Sequence, residues 1–137
     1  MTKRERPEER LQQAIVTAIS RMAPKVYCFH IPNGGLRSKL EAIRMKAGGV
    51  RRGVPDLCLI LSDGEVAFVE IKAAGGKLSP EQMAFSLMCL NRSTKWALLN
   101  DVAQVETLLS AWGEIPARTN TMPVNFGTKP AAVEVAL

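Results

Sequence analysis

The sequence predicts an α/β domain, a mixed β-sheet flanked by helices, in the element order α-β-α-β-β-α-β-α. Three observations predict it. Hydrophobic patterning switches between helical and strand periods in that order. A hairpin signature sits at the centre of the chain. Almost half of the 137 residues are apolar, enough for the core of one domain. The folded part is expected over residues 1–112, with a tail over 113–137 where Pro116, Pro123, Gly127 and Pro130 break any periodicity.

Pro7 suits a first helical position, and Glu8 to Met22 follows as an amphipathic helix. Its apolar stripe is Leu11, Ile15, Ala18, Ile19 and Met22. At about 100° per residue, Glu8 lies near the middle of that stripe and Glu9 well off it. A carboxylate there also suits the positive end of the helix dipole. Val26 to Ile31 reads as the first strand, with His30 as a packed or edge residue rather than a ligand. Pro32-Asn33-Gly34-Gly35 is a loop. A second helix spans Arg37 to Lys46, with Gly48 as its C-cap.

The hairpin comes next. Gly53-Val54-Pro55-Asp56-Leu57-Cys58-Leu59-Ile60-Leu61 and Glu65-Val66-Ala67-Phe68-Val69-Glu70-Ile71-Lys72 flank the turn Ser62-Asp63-Gly64. A two-residue turn would put Asp56 and Glu70 on opposite faces, because side chains alternate along a strand. A three-residue loop with Gly64 left-handed, in a G1-bulge turn, sets Asp56 against Glu70. Both carboxylates and Lys72 then share a face, with opposed Cβ atoms roughly 4.5–5.5 Å apart. Directly opposed like charges are destabilising, so the pair calls for a cation. Magnesium suits it, being held by one or two carboxylates plus waters and phosphate oxygens.

Beyond Lys72, Ala73 to Lys77 is a flexible loop. Ser79 as N-cap, Pro80 at N1 and Gln82 at N3 form a capping box that opens a third helix, running to about Leu90. Its Phe85, Met88 and Cys89 are expected in the core. Trp96 to Leu99 is a strand, and Asp101 caps a last helix whose Val102, Val105, Leu108, Leu109 and Trp112 turn inward.

Charge is polarised. Between Arg37 and Arg52 stand Arg37, Lys39, Arg44, Lys46, Arg51 and Arg52 against Glu41 alone, which equals the net charge of +5 of the whole chain. A basic balance suits a polyanionic partner. Lys39 and Lys46 read as a solvated helix face. Arg51 and Arg52, directly before Pro55-Asp56, read as phosphate contacts. Cys28, Cys58 and Cys89 lack metal-ligand spacing and read as reduced core thiols of a cytosolic protein. No apolar run reaches membrane-span length, and the charged N-terminus is not a signal peptide.

Pro55-Asp56 followed by Glu70-Ile71-Lys72 resembles the PD-(D/E)xK nuclease motif. Gly53-Val54-Pro55-Asp56, Glu70-Ile71-Lys72 and Gly76-Lys77-Leu78-Ser79-Pro80-Glu81-Gln82 together resemble its VRR-Nuc branch, over about residues 8–110. The resemblance implies a restriction-endonuclease-like core and a metal-dependent phosphodiesterase that cuts DNA. It implies that Asp56, Glu70 and the backbone carbonyl of Ile71 hold one or two Mg²⁺ or Mn²⁺ ions. Glu8, followed by Gln12 as in the family's first helix, would help hold the metal. Lys72 would orient or deprotonate the attacking water, and Gln82 would lie by the active site. Asn33 matches the family's turn after the first strand. With Arg37, Arg44, Arg51, Arg52 and Lys77 it makes up the expected DNA contacts. Stand-alone members resemble homodimeric junction resolvases, so branched DNA as substrate, a homodimer, and a cytoplasmic, phage- or prophage-encoded protein are the further expectations. Two other readings stand beside this one: a nuclease of the same fold acting on ordinary duplex DNA, and a non-catalytic nucleic-acid-binding module.

Overall fold

A computed structural model describes residues 6–32, 38–117 and 122–127. Eight elements follow in the expected order: α1 (Pro7–Met22), β1 (Tyr27–His30), α2 (Lys39–Ala47), β2 (Leu57–Ile60), β3 (Val66–Ile71), α3 (Pro80–Asn91), β4 (Lys95–Leu99) and α4 (Gln104–Ala111). The sheet order is β1-β2-β3-β4. The first two pairings are antiparallel, and β3 pairs with β4 in parallel. That parallel step requires a crossover, which α3 supplies.

Strand alternation sorts the side chains into two layers. Leu57, Leu59, Ala67, Val69, Ile71, Ala97 and Leu99 all point to one face and are buried there. Ile15 and Ile19 of α1 and Val105, Leu108 and Leu109 of α4 close that face, every one with no exposed surface. The helical stripe therefore supplies the core, but only along its middle. Met22 and Val102, both expected inside, are 43% and 39% exposed, and both line a groove along α1. Truncating Leu59 to Ala should cost about 2–5 kcal/mol, read as a lowered urea midpoint.

The opposite face is covered on its β3–β4 side by α3, where Phe85 meets Phe68 edge-on with ring centroids 5.1 Å apart. Cys89 is buried there as expected, whereas Met88 is exposed. Over β1 and β2 the same face stays open: Tyr27, Phe29, Ile60 and, at the start of β3, Val66 are all exposed. Helix α2, capped by the Ser38 hydroxyl on Glu41 N, buries none of its residues. It packs on no other helix or strand among the described residues.

The last helix starts later than its aspartate suggests. Asp101 Oδ1 accepts from Ala103 N in a turn, and the nearly buried Gln104 takes over the cap-like role. Its Oε1 accepts from Asn100 N and Asp101 N. The region expected as a tail is, where described, laid on the domain. Glu114 Oε1 accepts from Ser62 N and Oγ. Gln104 Nε2 donates to Pro123 O, and Leu98 N donates to Asn125 O along the outer edge of β4. Ile115 and Val124 pack against the core.

Candidate active site

The turn between β2 and β3 has the longer of the two loop lengths the sequence allows. Leu61 N donates to Glu65 O, Gly64 N donates to Leu61 O, and Gly64 has φ +89°. The ladder then pairs Ile60 with Val66 and Leu57 with Val69, which carries Asp56 opposite Glu70. Along β3, residues 67, 69 and 71 direct their backbone groups to β2, while Lys72 N donates the other way, to Leu99 O. The next rung would pair Ile71 with residue 55, and here the chain changes its chemistry. Pro55 has no N–H, so it offers the Ile71 carbonyl no ladder donor. Ile71 N–H is taken instead by the Asp56 side chain, Oδ2 at 2.8 Å. The two strands part at this point, and the acids stand where they part.

Four further contacts brace the pair. The Asp56 carbonyl accepts from Ile31 N at 2.7 Å and from His30 Nδ1 at 2.8 Å. Glu70 is only 3% exposed, and its Oε1 accepts from Gln82 Nε2 at 3.1 Å, with Lys72 Nζ 3.8 Å from the same oxygen. Gln82 does this while closing the capping box: its Oε1 accepts from Ser79 N at 2.8 Å, and Ser79 Oγ accepts from Gln82 N at 3.2 Å. One side chain thus caps α3 with its oxygen and holds Glu70 with its nitrogen. Gly53 sets how near α3 comes. Its φ is +87°, and a Cβ there would fall 2.4 Å from Glu81 O. Gly53→Ala would force a positive-φ strain of order 1–3 kcal/mol and push α3 away. A lowered melting point is the expected result.

Residues 6–104 match the VRR-NUC domain. The chain belongs to the VRR-NUC domain family. Two solved structures are similar in fold. A chain described as a VRR_NUC domain is 21% identical with TM-score 0.59, covering 79% of this chain and 99% of its own. Another, a VRR_NUC domain protein, is 18% identical with TM-score 0.61, covering 81% of this chain and 91% of its own. Comparison with curated proteins found no match. This VRR-NUC domain is accordingly a nuclease-type domain, and DNA is the partner that membership implies. No helix among the described residues is long and apolar enough to cross a membrane.

The electrostatics of the VRR-NUC site follow from its burial. The Glu70 carboxyl is pushed up to about 9, first by desolvation, then by the Asp56 charge and a hydrogen bond shared with Asp56, with Glu8 adding to the field and Lys72 opposing it. With its charge opposed by burial and by Asp56, Glu70 holds its proton at neutral pH even beside Lys72 unless a further cation is present. The oxygen set on offer, two carboxylates and a carbonyl without a ladder donor, is the kind that hard divalent ions take. Glu8 is exposed at the start of α1 and acts on Glu70 through its charge. No group of three or more His, Cys, Asp or Glu residues closes into a cage among the described residues.

In front of the pair opens a cleft of about 990 Å³, lined by Lys46, Arg51 and Arg52 as well as by Asp56, Glu70 and Gln82. Lys46, read from the sequence as solvated, lines this cleft. Arg44 and Lys77 are exposed and stand outside its lining. Asn33 and Arg37 lie outside the described residues. Sequence reasoning missed two features of the site, the His30 contact on the Asp56 carbonyl and the close approach of α3 at Gly53. The glycine of Gly53-Val54-Pro55-Asp56 was the only trace of either.

Proposed function

We propose that this VRR-NUC domain is a divalent-metal-dependent endonuclease that hydrolyses phosphodiester bonds in branched DNA. The observation that carries the reading is the acid pair at the parting of β2 and β3, half-buried Asp56 opposite buried Glu70, with Lys72 Nζ 3.8 Å from Glu70 Oε1. The carboxylates of Asp56 and Glu70 and the carbonyl of Ile71 would hold Mg²⁺ or Mn²⁺. Such an ion, when bound, lowers the pKa of water and offsets charge on the phosphoryl oxygens.

The chain's own groups have separate tasks. Gln82 fixes which way Glu70 Oε1 points. Lys72, on the same face as both acids and 17% exposed, donates to the attacking water or to a non-bridging phosphate oxygen. Lys46, Arg51 and Arg52 bind neighbouring phosphates across the cleft and set the register of the strand. These side chains are exposed and suit backbone phosphates rather than bases, which favours shape over sequence as the thing read. A homodimer would supply the second cutting site that a four-way junction requires. The exposed row Tyr27, Phe29, Ile60 and Val66 is the apolar surface that supports it.

The test compares a labelled four-way junction, a flap and a linear duplex, each with Mg²⁺ or Mn²⁺ and with chelator. Metal-dependent cutting that favours the branched substrates is expected. Equal cutting of the linear duplex would remove the branched-DNA part, and tight binding with no cutting would remove the enzyme. A light-scattering mass equal to the monomer's at assay concentration would remove the dimer.

A further inference from the structure

We propose that His30, the chain's single histidine, is a positioning residue that locks the peptide plane at Asp56 and thereby aims the acid pair; this rests on the reading of Asp56 and Glu70 as the reacting site. Strands β1 and β2 pair from Tyr27↔Ile60 to His30↔Leu57. One step on, the Asp56 carbonyl receives two donors, Ile31 N at 2.7 Å and His30 Nδ1 at 2.8 Å. A carbonyl oxygen has two lone pairs and only accepts. The contact therefore requires the proton on Nδ1, which leaves Nε2 as the acceptor nitrogen of the neutral ring.

The second donor falls at the last peptide of the paired strand. The β2–β3 ladder ends at Leu57↔Val69, and Pro55 contributes no N–H. On the β3 side, the tie given to Asp56 is its own side chain, through Oδ2 to Ile71 N. A carboxylate that has to serve the site is a poor anchor for its own backbone. The peptide that carries this carbonyl is held by β3 through Leu57, the last paired residue of the ladder, and by β1 through Ile31 N. The His30 donor adds a third tie where the ladder stops, and so steadies the direction in which the Asp56 Cβ leaves the chain. His30 is exposed at the end of the sheet and contributes little to the core, so its effect falls on the site rather than on folding.

The single imidazole makes the test clean. Long-range ¹⁵N–¹H spectra of the neutral ring should show the Nδ1–H tautomer. His30→Leu keeps bulk and removes the donor, while His30→Asn places an amide N–H near the position of Nδ1. In single-turnover cleavage at saturating metal, the Leu variant should lose about tenfold in kcat with little change in KM for DNA, as outer-shell partners commonly do. The Asn variant should recover most of that loss, and both should melt within a few degrees of wild type. An Nε2–H tautomer, a Leu variant that cuts at the wild-type rate, or an Asn variant as slow as Leu would each overturn the proposal. Should wild type itself not cut, the nuclease reading falls alone. The lock is then judged by the tautomer and by the Asp56 carbonyl and Ile71 amide resonances, which should move in the Leu variant and return in the Asn variant.

Discussion

Asp56→Asn should bind DNA at least as tightly as the wild type while cutting it on the order of a thousandfold more slowly, a loss of the size seen when one preorganised charge-stabilising group is removed from a site. Asparagine is the informative replacement because its Oδ1 can still accept from Ile71 N, the bond that Asp56 Oδ2 makes at 2.8 Å. The parting of β2 and β3 is therefore kept, and the variant should melt close to wild type. What disappears is one negative charge. A divalent cation loses half of the paired carboxylates, and phosphate loses a repulsive neighbour. Glu70 also loses the Asp56 charge that, after burial, does most to raise its pKa, so its carboxyl should fall back toward the ordinary range. Gel-shift titration beside a cleavage time course checks both halves. A variant that still cuts at the wild-type rate would remove Asp56 from the chemistry, and one that no longer binds DNA would mean that the cleft had collapsed.

Glu70→Gln should abolish cleavage and, in metal-free protein, raise stability at pH 8. The sign follows from the pKa of about 9 in the folded chain against about 4.3 for an unperturbed glutamate. Below the lower value both states hold the proton, and the group's contribution is fully present. Between the two, the unfolded chain releases a proton that the folded chain keeps, so stability falls as pH rises, by up to about 1.4 kcal/mol per pH unit. Above the folded value the contribution is gone. Glutamine mimics the protonated acid: its carbonyl can accept from Gln82 Nε2 and its amide can donate to Asp56. The slope between pH 5 and 9 should flatten in the variant. The same proton opposes metal in the wild type, because a ligand must be deprotonated to bind. Mn²⁺ affinity should rise with pH over this window, with close to one proton released per ion, measurable by titration calorimetry in two buffers. A wild-type stability profile as flat as the variant's would show that Glu70 is ionised in the metal-free fold.

Much of this site was legible because a hairpin converts loop length into register. Once three residues were assigned to the turn, the faces of Asp56, Glu70 and Lys72 were decided, since alternation leaves no freedom. Gln82 was legible as a cap for the same local reason. The rest depended on neighbours that the sequence does not name. Periodicity marks Met22, Met88 and Val102 as apolar, but which part of a stripe is covered depends on what packs over it. His30 reaches Asp56 across twenty-six positions, and the approach of Gly53 to Glu81 depends on how a crossover helix lands. The length of the folded part was likewise hidden, because prolines after Gly113 disrupt periodicity without preventing the chain from lying along β4.

Pro55 has a consequence of its own. Almost any other residue there would present an N–H to the Ile71 carbonyl, and the hairpin would zip up by another rung. Asp56 would be drawn into the closing strands and the carbonyl would be consumed. Such a variant should be the more robust protein and the poorer catalyst. At this position, stability and activity pull in opposite directions, and the imino acid keeps the seam from closing over its own chemistry.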